Sequence, residues 1–147
     1  MKNKKLRVYI ASPFDTSETK ANAEQAKQIL NNIGFIVFAP WDYKIPQAWD
    51  YTNSEWGAMV FSRDILEIDS ADFVVVLSYG RNSTAGTNWE AGYAFGKNKK
   101  VILIEMNNDI QSLMVANGRY ATRKGLAGLK TYNFRSLIKY RTDTEQK

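Results

Sequence analysis

The 147-residue sequence contains no cysteine and no histidine. Without cysteine the chain can form no disulfide and offers no thiol nucleophile, which is compatible with a reducing compartment. Without either residue type a zinc or copper site is not expected, and Ser-His-Asp or Cys-His catalysis in its usual form is excluded. Any acid–base or nucleophilic chemistry must therefore use Asp, Glu, Tyr or Lys side chains.

Long hydrophobic runs are also missing. No apolar run approaches the roughly 18 residues that a membrane-spanning helix needs, and the short run after the basic start MKNKK is expected to be a strand rather than a signal peptide. We therefore expect no membrane partner and a cytoplasmic location. With 44% hydrophobic residues, the chain is expected to form a single domain over residues 1–147, frayed at 141–147.

The formal net charge is +5, but the basic residues are dispersed in short clusters along the chain. A positive balance favours anionic partners, including phosphorylated small molecules. Solvated surface is the alternative interpretation of each cluster. Because no nucleic-acid-binding motif is recognisable, we expect no nucleic-acid partner.

Segments typical of strands and helices alternate along the chain, which favours an α/β domain with a parallel sheet and helices on both faces. Ligands of such sheets bind beyond the carboxyl ends of the strands. The end of the first strand, the aromatic loop 40–52 and the loop 79–85 should therefore converge on one cleft. The predicted strands are 6–11, 35–39, 72–78, 101–106 and a short fifth one at 130–134, and the predicted helices are 17–33, 54–70, 86–97 and a weaker one within 109–125.

The stretch STAGTNWEAGYAFGKNKK, residues 83–100, places Glu90 in or near the first turn of a predicted helix. Free backbone N–H groups stabilise an anion there, so Glu90 is expected to be ionised at neutral pH. Ala91 and Gly92 are small and leave space beside it, and Gly86 permits close approach of the backbone. A glutamate that merely stabilises its helix is the alternative.

An ionised, partly desolvated carboxylate can attack an electron-poor sugar carbon and form a covalent intermediate, as in retaining glycosyl transfer. A second group must then protonate the leaving base. Because there is no histidine, this group is expected to be an aspartic acid, either Asp64 or Asp42.

Three segments resemble nucleoside 2-deoxyribosyltransferases: YIASPF at 9–14, RDILEIDSADFVVVL at 63–77 and AGTNWEAGYAFGKNKKVILI at 85–104. The similarity extends over residues 6–134. It implies a flavodoxin-like three-layer sandwich whose five-stranded parallel sheet has the order 2-1-3-4-5. It also implies transfer of the sugar of a 2′-deoxynucleoside or deoxynucleotide to a free nucleobase or water by double displacement, without cofactor or metal.

The resemblance assigns a role to three side chains. Glu90 matches the nucleophile that attacks C1′, and Tyr9 matches the tyrosine whose hydroxyl orients the nucleophile's carboxylate. Asp64 matches the aspartate that handles the proton of the departing or arriving base.

The resemblance also implies a homo-oligomer built from dimers, up to a tetramer or hexamer, whose subunits complete each other's sites. The segment QSLMVANG, residues 111–118, matches the one that a neighbouring subunit lends. Ser112 and Met114 stand at the contacting positions.

Two positions depart from the transferases. Thr84 stands six residues before the nucleophile, where the family usually has an aspartate near the 5′ side of the sugar, and Ser112 replaces an asparagine. The related 2′-deoxynucleoside 5′-monophosphate N-glycosidases carry phosphate-binding hydroxyls at matching places. Since a carboxylate repels a phosphate and a hydroxyl donates to it, hydrolysis of monophosphates is the alternative activity, with Arg81, Ser83 or Ser12 as further donors.

The aromatic loop is expected to bind the nucleobase. Trp41 or Tyr43 is a candidate for stacking on it, and Asp42 or Gln47 for hydrogen bonding to its edge. Packing of these side chains onto the sheet is the alternative.

The end of the first strand supplies Ser12 and Phe14 as substrate-binding candidates, together with Gly86 and Thr84 of the later loop. Trp56 and Trp89 are expected in the core or at a subunit interface. A non-catalytic nucleotide-binding module on the same scaffold is the hypothesis from another functional class.

Overall fold

The structure is a computed structural model that describes residues 5–137. The tail 141–147, expected to fray, lies outside these residues. All five strands run parallel in the order β2-β1-β3-β4-β5, which confirms the predicted α/β sandwich and its 2-1-3-4-5 order. The strands are β1 Arg7–Ala11, β2 Ile36–Phe38, β3 Phe73–Ser78, β4 Lys100–Glu105 and β5 Ala121–Lys124, and the helices are α1 Ser17–Ile33, α2 Asn53–Ser70, α3 Ala85–Gly96, α4 Leu113–Asn117 and α5 Gly125–Thr131.

The fifth strand differs from the prediction. It is formed by Ala121–Lys124, whereas residues 130–134 end α5 and enter a loop. As a half-exposed edge strand, ATRK lacks the apolar run that marks the inner strands. The apolar signal at 130–134 arises from Phe134, which packs against Phe35 and Phe73 in the core with ring centroids 5.0 and 5.6 Å apart.

The sheet separates two apolar layers, because side chains alternate between its faces. Val8 and Ile10 of β1 face the layer of α1 and α5. Tyr9 and Ala11 face the layer that contains α2 and α3. β3 is buried along its whole length, as expected for the centre of a parallel sheet.

The three longest helices, α1, α2 and α3, begin at N-termini with side-chain caps. Thr16 caps α1 in a reciprocal box with Thr19, and Thr52 caps α2 in the same way with Glu55. Thr84 caps α3 by accepting a hydrogen bond from the backbone N–H of Thr87. These caps fix where α2 and α3 start, and therefore which of their residues face each other. Among the described residues no helix is long and apolar enough to cross a membrane.

Candidate active site

The site is built around a hydrogen bond that the hydroxyl of Tyr9 donates to Oε2 of Glu90. Tyr9 lies on β1, is fully buried and projects toward the layer of α2 and α3. A buried phenol needs an acceptor, since an unpaired one would lose the hydrogen bond it makes to water. This contact joins residues 81 positions apart and fixes the direction of the Glu90 carboxyl.

The carboxyl of Glu90 is only partly ionised at neutral pH, contrary to the sequence-based expectation. Its pKa is raised to about 7: burial is the main cause, the hydrogen bond from Tyr9 opposes it, and the charge of Asp64 adds to the rise. The physical reason is its position. Glu90 is the sixth residue of α3, beyond the free N–H groups of the first turn that were expected to stabilise its charge.

Asp64, on α2, faces the same space. The pKa of its carboxyl is raised to about 6, because burial outweighs the lowering by the Arg63 guanidinium and the charge of Glu67 adds to the rise. Its Oδ1 is buried and has no hydrogen-bond partner. Two carboxyls with raised pKa values that face one cleft are a combination found at acid–base sites.

Asp64 and Glu90 both line a cleft of about 560 Å³ between α2 and α3. Its remaining walls are apolar or small residues: Trp56, Gly57, Val60, Phe61, Ile65, Ile68, Ala85, Gly86 and Trp89. The predicted residue Gly86 is therefore in place, whereas Ala91 and Gly92 line a separate cavity of about 280 Å³ beside α4. A concave apolar wall with two convergent carboxyls suits a flat ligand with a few polar groups.

Trp56 and Trp89 were expected in the core or at a subunit interface, and their place in the cleft was missed. Trp56 is about half exposed, and the half-exposed Trp89 packs against Phe61 with ring centroids 5.5 Å apart. The spacing Trp56, Val60, Asp64 is i, i+4, i+8, which puts all three on one helix face. That spacing is the sequence signal that would have placed Trp56 beside Asp64.

The structure does not bring Trp41 and Asp42 to this cleft. Trp41 is buried in the layer of α1, on the opposite face of the sheet from Tyr9, and its indole donates to Glu24. Asp42 pairs with Lys27 of α1. The half-exposed ring of Phe14 lies 5.9 Å from that of Trp41. The alternative interpretation, packing of the loop onto the sheet, therefore describes Trp41.

Four other predicted residues lie outside the cleft lining. Ser12 is buried and donates to the carbonyl of Pro13, while the hydroxyl of Thr84 is engaged with Thr87 at the start of α3. Ser112 and Met114 lie at α4, and Met114 is 85% exposed beside the smaller cavity. Within residues 5–137, no group of three or more His, Cys, Asp or Glu side chains is placed to hold a metal ion.

Comparison with known proteins identifies a family whose model this chain matches. The family model described as nucleoside 2-deoxyribosyltransferase matches residues 8–133. Among solved structures, the 2-deoxyribosyltransferase of the psychrotolerant bacterium Bacillus psychrosaccharolyticus has 28% sequence identity and a TM-score of 0.82, over 89% of this chain and 95% of that one.

Two more distant structures share the fold. A conserved protein of Enterococcus faecalis V583 has 19% identity and a TM-score of 0.57, over 93% of this chain and 88% of that one. A CMP N-glycosidase of Clostridium botulinum has 18% identity and a TM-score of 0.56, over 94% and 98% of the two chains. No curated protein sequence gives a significant match.

The raised pKa of Glu90 predicts that replacing it with glutamine stabilises the fold at high pH. In the unfolded chain Glu90 ionises near its ordinary value of 4.5, whereas in the folded chain it ionises near 7. The native protein therefore loses stability between these two pH values, and Glu90→Gln does not. We expect the variant to be more stable by about 1–3 kcal/mol at pH 8 and nearly equal to wild type at pH 4.5. Urea unfolding at both pH values measures this; an equal difference at both would contradict it.

Proposed function

Because the chain belongs to the nucleoside 2-deoxyribosyltransferase family, we propose that it cleaves the N-glycosidic bond of 2′-deoxynucleosides and transfers the deoxyribosyl group to another nucleobase or to water. The observation that carries this proposal is the Tyr9-oriented Glu90 facing Asp64 across an apolar, aromatic cleft. The match to a 2-deoxyribosyltransferase over 95% of that protein's chain supports it.

The proposed reaction is a double displacement. An oxygen of the Glu90 carboxylate attacks C1′, the C1′–N bond breaks, and its electron pair goes to the base nitrogen, which takes the proton of Asp64. This gives a deoxyribosyl ester of Glu90 with inverted configuration. A nitrogen of a second base, or water, then attacks C1′, the Glu90 carboxylate leaves, and Asp64 takes the proton back. A 2′-hydroxyl would crowd the carboxylate, which favours 2′-deoxy sugars.

Tyr9 has the role of orienting the nucleophile. Burial and the nearby carboxylates raise the pKa of its phenol, so the hydroxyl stays protonated and remains a donor to Glu90. The donated hydrogen bond favours the ionised form of Glu90, which is the form that attacks. The leaving and arriving bases are proposed to lie along the wall formed by Trp56, Phe61 and Trp89.

Hydrolysis of deoxynucleoside 5′-monophosphates is the second candidate, because Thr84, the cap of α3, stands where the transferases usually carry an aspartate. Two of the other donors considered for a phosphate are already engaged: Arg81 is paired with Asp109, and Ser12 donates to the carbonyl of Pro13. The hydroxyl of Ser83 accepts from the backbone N–H of Tyr79 and keeps its own hydrogen to donate. We therefore rank transfer above monophosphate hydrolysis.

The first experiment supplies the purified protein with deoxyinosine and cytosine, and separately with the deoxynucleoside 5′-monophosphates. We expect deoxycytidine to appear, and a deoxyribosyl adduct on Glu90 to be detectable by mass spectrometry. Glu90→Ala should lose about a thousandfold or more in turnover, since no other group can form the ester, and should still bind deoxynucleoside. Glu18→Gln, a change of an exposed glutamate, is the matched control.

The other outcomes of that experiment are equally decisive. Free base released only from monophosphates would reverse the ranking in favour of the hydrolase. A native protein that binds deoxynucleosides and turns over neither class would favour the non-catalytic binding module.

The pH dependence of kcat/KM is predicted to be a bell centred near pH 6.5. Activity needs ionised Glu90, so it rises with pH toward the pKa of about 7, and it needs protonated Asp64, so it falls as pH rises beyond about 6. The reactive protonation state, with Glu90 ionised and Asp64 protonated, is a minor state of this coupled pair of carboxyls. Initial rates between pH 4.5 and 9 measure the profile. A rate that stays constant from pH 7 to 9 would contradict Asp64 as the acid.

We further propose that the active form is a homo-oligomer built from dimers in which the segment 111–118 of one subunit completes the partner's site. Its apolar side chains support this, because Leu113 and Met114 are 80% and 85% exposed in the single chain. Large apolar side chains at this exposure mark an interaction surface when they are contiguous.

A complementation experiment tests the shared site. Glu90→Ala and Met114→Asp should each be inactive alone, and mixing them after unfolding and refolding should restore activity at about a quarter of the sites if the assembly unit is a two-fold dimer. A mixture of Glu90→Ala and Tyr9→Phe is the control. It should not recover, because both changes fall in the part of the site supplied by the same subunit. An active Met114→Asp variant, or a monomer by sedimentation, would contradict the proposal.

A further inference from the structure

Arg63 lies directly before Asp64 on α2 and is held between two aromatic rings. Its guanidinium carbon is 5.5 Å from the ring centroid of Phe38 on β2 and 5.0 Å from that of Tyr43 in the aromatic loop. A planar cation attracted to two ring faces restrains both rings. Arg63 thus ties the edge strand and the loop that follows it to helix α2.

The Phe38 ring extends this contact to the catalytic tyrosine. It stacks on Tyr9 with ring centroids 5.6 Å apart and an interplanar angle of 19°. Tyr9 in turn donates to Glu90. A continuous series of contacts therefore runs from Arg63 through Phe38 of the edge strand β2 and Tyr9 of β1 to the nucleophile on α3.

Arg63 is itself fixed from the other side. It forms an ion pair with Glu67, one turn along α2, at 3.0 Å, and Glu67 also pairs with Arg7 of β1 at 3.3 Å. The Glu67 side chain is only 9% exposed. A buried carboxylate shared by two arginines holds both of them in place. Burying these charges costs desolvation free energy that apolar packing would not, so the network restrains Arg63 more than a solvated surface position would.

We infer that Arg63 is a positioning residue for the reaction: it braces Phe38 against Tyr9, and so holds Tyr9 against Glu90, while its charge stands beside Asp64. The inference rests on the proposed function, since the reaction is what the positioning serves. It assigns two separable effects to one side chain, a mechanical one through the rings and an electrostatic one on the acid.

The electrostatic effect can be measured as a shift in the pH dependence of the reaction rate. The charged and titratable groups that face Asp64 are Arg63 and Glu67 of α2, Tyr9 of β1 and Glu90 of α3. Arg63 is the cation of this set and lowers the pKa of Asp64. Removing its charge should therefore keep Asp64 protonated to higher pH and move the basic limb of the rate profile upward.

The test compares Arg63→Lys, which keeps the charge and loses the planar group, with Arg63→Met, which loses both. We expect each variant to lower kcat by about three- to thirtyfold, which corresponds to the free energy of a lost cation–π contact. The KM should change by less than about twofold. Only Arg63→Met should move the basic limb to higher pH. Arg7→Met is the matched control, because Arg7 shares the Glu67 carboxylate with Arg63. The kcat of this variant should stay near that of wild type.

Several results would overturn the inference. A kcat of Arg63→Lys equal to that of wild type would contradict the mechanical effect. A basic limb of the rate profile that does not move in Arg63→Met would contradict the electrostatic effect. An equal loss in Arg7→Met would reduce Arg63 to a general stabilising role. If Arg63→Met does not fold, Arg63→Lys still decides the mechanical part and a carboxyl ¹³C NMR titration of Asp64 in Arg63→Gln decides the other. An inactive wild type would instead refute the proposed function.

Discussion

The hydrogen bond from Tyr9 to Glu90 is the contact on which the candidate site depends. It joins β1 to α3, so the carboxyl is oriented by the core rather than by a surface loop. The same burial that orients it raises its pKa to about 7. Holding a carboxyl there is unfavourable for stability above neutral pH, and such a conflict between stability and local chemistry is typical of functional sites.

A second constraint comes from the two helices that face each other across the cleft. α2 supplies Asp64 and α3 supplies Glu90, and both carboxyls are partly desolvated. In low dielectric each disfavours the charge of the other, so their protonation states are coupled. The aromatic side chains of the same cleft offer a flat apolar surface. In the proposed reaction, acid–base chemistry and base binding therefore both belong to one helix–helix interface.

Sequence reasoning reached the fold because its signals are local and strong. Apolar runs such as DFVVVLS mark the inner strands, and segments typical of helices alternate with them. It failed where the signal was weak or had another cause. The edge strand ATRK has no apolar run, and the buried Phe134 suggested a strand at 130–134 where there is none. The ionisation of Glu90 was overestimated because one helical turn decides whether free N–H groups are within reach.

The residue types of the candidate site were determined by the sequence alone: with no histidine and no cysteine, the proposed chemistry falls to carboxyls and a tyrosine, and the resemblance to the family points to Tyr9, Asp64 and Glu90. Only the tertiary structure decided what surrounds them. It placed Trp56 and Trp89 in the cleft, turned Trp41 to the opposite layer, and brought Arg63 between Phe38 and Tyr43. Side-chain direction and desolvation depend on packing between distant segments, which residue spacing along a chain does not encode.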